Sequence, residues 1–145
     1  MPPPDDGEHA TIHGSFQRHG FSKWEAIEIA KIDGQKVRPP QLPGTYKSVA
    51  EYELVIPAKP LTIAVGVHIR PGVGPIMIRG TGEILFYADS GHQYIVIGEV
   101  HRDEAEAIVW VIEAESEEPV SDRVAVALLA VDVSTFIPVI GPAWQ

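Results

Sequence analysis

The chain has 145 residues, 45% of them hydrophobic, with no cysteine, and 20 acidic against 11 basic residues give it a formal charge of −9. A chain of this length forms one domain that buries roughly 68–70% of the surface its unfolded form exposes, which leaves no room for a second core. The missing cysteines exclude disulfides and thiolate chemistry, and the acidic balance, with Lys and Arg scattered singly, speaks against nucleic acid or an anionic membrane surface as partner.

Residues 1–9 read as a flexible tether, because Met1 to Glu8 hold three prolines, three acids and a glycine and so are too polar and stiff to pack. They also lack the basic and apolar regions of a secretion signal. The folded domain is expected over residues 10–135 and opens with a short strand, Ala10 to Ile12. Trp24 to Ile32 reads as a longer strand ending at Asp33-Gly34, a pair that favours a two-residue hairpin into Gln35 to Val37, since both central positions need positive φ. Arg38 to Tyr46, with three prolines and a glycine, is expected as an ordered surface loop. Tyr52, Leu54 and Ile56 alternate with Glu51, Glu53 and Val55 as a one-sided strand.

The strongest signal follows the turn Ala58-Lys59-Pro60. Leu61, Ile63, Val65, Val67 and Ile69 alternate with Thr62, Ala64, Gly66, His68 and Arg70, so a period of two puts all five large residues on one face. After Pro71 to Pro75 come four short strands, Ile76 to Arg79, Glu83 to Ala88, Gln93 to Val100 and Ala107 to Glu113. The last three carry apolar residues on both faces and are expected to be central. Arg123 to Val133 is read as one further strand because Val124, Val126, Val131 and Val133 are β-branched. Residues 136–145 form an apolar tail that packs on its own domain or on a second copy, making a homodimer contact. The longest apolar run, Val124 to Val131, is far short of the roughly 20 residues that span a bilayer, so the chain reads as soluble with no membrane span. With 13 Gly and 13 Pro punctuating short apolar runs, the expected fold is all-β, a single antiparallel β-sandwich.

One order of features carries a family resemblance: Ile32-Asp33-Gly34 closing a hairpin, Val55-Ile56-Pro57 leading to Leu61 to Val65, Ala88-Asp89-Ser90-Gly91-His92-Gln93-Tyr94, and Val109-Trp110-Val111-Ile112-Glu113. It resembles small Gram-negative cell-envelope proteins, mostly lipoproteins of unassigned function, in which an I-D-G hairpin and a G-H-x-Y turn recur. The likeness spans most of residues 10–120. It implies an immunoglobulin-like or transthyretin-like sandwich, periplasmic or associated with the outer membrane, and brings no catalytic residues. This chain departs from the group at Ala58-Lys59-Pro60, where Gly with His is usual, and lacks the lipid-bearing Cys ahead of the tether. Met1-Pro2 either stands in place of a removed signal and anchor or begins a chain that stays cytoplasmic.

Asp89, Ser90, His92 and Tyr94 bring a carboxylate, hydroxyl, imidazole and phenol within six residues. A triad needs a strained Ser at an elbow, and no G-x-S-x-G occurs; the segment is read instead as a turn whose Tyr anchors the corner by a hydroxyl bond to nearby backbone. Among the six histidines, His68 and His92, with His101 or Glu99 as a further ligand, could form the metal site of a small β-barrel enzyme. Solvated or hydrogen-bonded histidines are the preferred reading, because tight metal binding also needs an ordered second shell. Glu113, Glu115 and Glu117 would share one face of a strand and make a calcium site conceivable, but a solvated acidic edge is favoured.

Phe16, Phe21 and Trp24 lie in a stretch containing Gly, His and Ser, where an aromatic can stack on a sugar or fill a partner's pocket, although core packing of Trp24 is the favoured reading. Together with Arg70 and Arg79 they are the candidate contact residues, on loops around 16–24 and 70–82. The expected function is that of a non-catalytic, cofactor-free module of the envelope, binding or scaffolding a protein or glycan.

Overall fold

The computed structural model describes residues 8–20, 22–37 and 49–132. Their strands are β1 (His9–His13), β2 (Ser15–Arg18), β3 (Trp24–Ile32), β4 (Gln35–Lys36), β5 (Leu54–Pro57), β6 (Pro60–Arg70), β7 (Ile76–Tyr87), β8 (Gln93–His101), β9 (Glu106–Glu113), β10 (Val124–Ala127) and β11 (Leu129–Asp132). Single 3-10 turns stand at Val49–Glu51 and Arg102–Glu104. Among the described residues no helix is long and apolar enough to cross a membrane. The proposed loop 38–46, Phe21 and the tail 136–145 lie outside the described residues.

The strands build two packed sheets, an all-β sandwich. The first runs β10-β9-β8-β1-β5 and the second β11-β7-β6-β3-β2, with β4 paired to the far end of β3. The predicted face of β6 is the heart of the core: Leu61, Ile63, Val65, Val67 and Ile69 are all between 0% and 3% exposed. They meet Ile12, Ile56, Val96, Val109 and Val111 of the first sheet in one apolar cluster, the close packing that a one-sided alternation demands. Asp33 and Gly34 take φ of 50° and 82°, the two left-handed positions of the expected hairpin.

Four sequence expectations change. The sandwich is not purely antiparallel, because β1 runs parallel to β8. β1 has no hairpin partner in its own sheet: at Gly14 the chain crosses to the second sheet as β2, and neighbours from later in the chain settle its direction. The segment Arg123 to Val133 is two strands, for at Leu128 the chain leaves the first sheet, where β10 pairs with β9, and joins the second, where β11 pairs with β7. Nothing in that uninterrupted apolar run marks the change. Conversely, the two runs 76–79 and 83–88 are the single strand β7. Gly80 looked like a break but is a packing gap: a Cβ there would come 2.4 Å from the Ala127 carbonyl oxygen and 2.6 Å from Val126 Cγ1. Finally, β9 is covered on both faces as expected, with Val109, Trp110, Val111 and Ile112 buried, whereas β7 leaves Leu85 and Tyr87 72% and 58% exposed on its outer side.

Candidate functional site

The outer face of the second sheet carries the site. Its strand order brings residues distant in sequence into rows across the sheet: Phe16 beside Ala26, Ala26 beside His68, and His68 beside Arg79. A neighbouring row holds Arg18, Trp24 and Arg70. Between them lies a groove of about 670 Å³, walled on one side by the Val49–Glu51 turn through Ala50 and Glu51. Its floor is apolar, since Ala26 and Met77 are buried despite standing at outward positions. The rings of Phe16 and Trp24, both half-buried, are 5.8 Å apart at a tilt of 33°. Trp24 is therefore not a core residue, contrary to the burial preference of its type. It lies on the outer face of the sheet, between Arg18 of β2 and Arg70 of β6.

Charge is distributed unevenly around this floor. Arg18 places its guanidinium 5.9 Å from the centre of the Phe16 ring, a cation–π arrangement. Arg70 donates through Nη2 to the Gly74 carbonyl at 3.2 Å and through Nη1 towards Met77 Sδ at 3.4 Å, which fixes it beside the groove. Arg79 is exposed, and its side chain shows no bond to another side chain among the described residues. His68 Nε2 donates to Glu28 Oε1 at 3.0 Å. That hydrogen bond holds the Glu28 carboxyl below its ordinary value, against burial, which pushes it up.

The pair makes stability depend on pH in one direction. Glu28 has its ordinary value of 4.5 when unfolded and a lower one when folded, so its contribution is complete above that value and lost as pH falls through the folded one. Glu28→Gln should cost roughly 0.2–1 kcal/mol at pH 6, the range of a partly exposed pair. Thermal melts at successively lower pH should show the variant's deficit shrinking as Glu28 takes up its proton.

Compared with family models, curated proteins and solved structures, this chain matches none. The groove is accordingly read on its chemistry alone. Of the five contact residues expected from the sequence, Phe16, Trp24 and Arg79 line it and Arg70 stands beside it, while Phe21 lies outside the described residues. The four described ones are carried by strands β2, β3, β6 and β7 rather than by loops. Sequence reasoning missed Arg18, Glu28 and Met77, although the signal was present: 16 and 18, 24 and 28, 68 and 70, and 77 and 79 have equal parity along their strands and so share a face.

The histidines do not converge as a metal site. His68 pairs with Glu28, His92 with Glu113, and His101 with Glu99 and Glu104. Among the described residues His101, Glu104 and Glu106 bring their ligand atoms within 4.8 Å of one another, a group that includes neither His68 nor His92. Glu113, Glu115 and Glu117 do not share a strand face either, because β9 ends at Glu113 and Glu117 turns with φ of 62°. The Ser116 hydroxyl and then His92 hold Glu113 below its ordinary value.

The Asp89 to Tyr94 segment is the expected turn. The Tyr94 hydroxyl accepts a hydrogen bond from the Asp89 backbone N–H at 2.8 Å, and the ring is buried against Phe86. Tyr94→Phe leaves that N–H without its acceptor and should cost about 1–2 kcal/mol in urea unfolding.

Proposed function

We propose that this protein is a non-catalytic binding module of the Gram-negative cell envelope, acting outside the cytoplasm through the groove on the outer face of its second sheet. One observation carries the reading. Residues from four strands, spaced as far apart as Phe16 and Arg79, converge on an apolar floor flanked by aromatic rings and guanidinium groups. Few convergent polar groups around an apolar concavity are the usual make-up of a ligand site. No nucleophile with an oriented base stands in the groove among the described residues, which favours binding over turnover.

The test is a glycan array and a panel of envelope-derived peptides, run with wild type and Trp24→Ala. Ligands retained by the wild type and lost by the variant, with identical thermal melts, are the expected outcome. Binding indifferent to Trp24, or no binding at all, would overturn the groove's role. The envelope assignment rests on the hairpin and turn motifs that resemble those of envelope proteins, and cell fractionation of the natively expressed protein tests it: recovery in the cytoplasm alone would reject it.

A further inference from the structure

Resting on the binding reading above, we propose that the ligand of this groove is an acidic saccharide, with a sugar ring against Trp24 and its carboxylate on Arg79. Four features of the groove point to that chemistry together.

The first is charge. The chain carries −9 overall, yet among the described residues lining the groove Arg18 and Arg79 balance Glu28 and Glu51, with Arg70 beside them. The groove is thus close to neutral in an acidic molecule, so it repels an anion less than the rest of the surface does. Arg79 is the group available to it. Arg70 is held by Gly74 and Met77, and Arg18 lies against Phe16, while the exposed Arg79 presents a planar fork that matches a carboxylate with two parallel hydrogen bonds.

The second is the aromatic wall. Half-buried rings keep an apolar surface turned to the groove, and a pyranose offers a matching face of C–H groups. Third, the Glu28–His68 pair on the floor takes up one carboxylate oxygen of Glu28 and leaves the other to accept, and such an acceptor suits the hydroxyl donors of a sugar. The fourth is the shape. The cavity lies on the face of the sheet, lined by side chains of β2, β3, β6 and β7 rather than by backbone at a strand edge. A peptide joining as an extra strand needs backbone groups at an edge, and a helix needs a longer apolar trough; a small apolar floor with a ring wall and the exposed guanidinium of Arg79, on the face of the sheet, suits neither.

Isothermal titration with short uronate oligosaccharides of galacturonate, glucuronate and mannuronate type, each beside its neutral counterpart, tests this. The wild type should bind at least one acidic member about tenfold or more tightly than its neutral partner, a difference of about 1.4 kcal/mol. Arg79→Gln should abolish that preference, and Trp24→Ala should remove binding of acidic and neutral members alike. Trp24→Phe, which keeps a ring, should restore part of the affinity and guards against misreading a folding defect. Equal affinity for acidic and neutral sugars, or an acid preference that survives Arg79→Gln, would overturn the assignment. If only neutral sugars or peptides bind, and do so through Trp24, the acidic-saccharide reading falls and the binding module stands. If nothing binds in either screen, both fall.

Discussion

Gly14→Ala is expected to abolish the native fold. At this residue the chain passes from the first sheet to the second, and the passage is so tight that a Cβ would lie 1.8 Å from the Ile27 carbonyl oxygen and 2.8 Å from that of Ala50. Both obstacles are backbone, one in β3 and one in the turn that walls the groove, so neither can rotate away. Overpacking that side chains can absorb costs about 1–3 kcal/mol; moving a central strand costs more, against a total stability of about 5–15 kcal/mol for a domain. The expected loss is therefore above about 4 kcal/mol, seen as the disappearance of a cooperative urea transition. Gly20→Ala, whose Cβ meets nothing within 4 Å, serves as the control and should change stability by less than about 0.5 kcal/mol. A wild-type transition in Gly14→Ala would refute the close crossing.

Gly80→Ala is the second large effect, in β7 where it packs against the sheet change at Leu128. Its new methyl would press on the Ala127 carbonyl oxygen as well as on Val126, forcing the β10–β11 crossing outward and loosening the pairing of Leu129 with Arg79. A cost of about 2–4 kcal/mol is expected, above the ordinary range for overpacking because backbone is again involved. Gly82 provides the comparison that separates mechanisms. A Cβ there meets mainly the Val126 side chain, at 2.8 Å, so adding Val126→Ala should offset part of Gly82→Ala, with a coupling of about 1 kcal/mol. The same second substitution should relieve Gly80→Ala much less, since the Ala127 oxygen remains. Similar rescue of both would show that side chains alone set the tightness.

These two glycines also mark the limit of what the sequence discloses. β6 was legible because five large residues at period two have one way to be buried, and the Asp33-Gly34 hairpin and the Tyr94 corner because both are local chemistry completed within a few residues. The sheet changes at Gly14 and Leu128 were not, for they depend on which strand lies opposite. β2 escaped for a related reason: Ser15 to Arg18 has a single large apolar residue and becomes a strand only by pairing with β3. The groove shares this character. Phe16, Trp24, Arg70 and Arg79 could each be singled out as exposed chemistry, but their meeting needs the order β2-β3-β6-β7, and Glu28 reaches His68 across 40 positions of chain.

The placement of β1 bears on how the molecule is made. It lies inside the first sheet, between β5 and β8, yet it is synthesised some eighty residues before its parallel neighbour. During synthesis Ile12 and its unpaired amides must wait for β8 to emerge, and such delayed long-range closure slows folding and leaves an adhesive segment uncovered. A growing chain of this protein should thus engage chaperones until about residue 95 has cleared the ribosome, and lose that dependence once the strand has found its place.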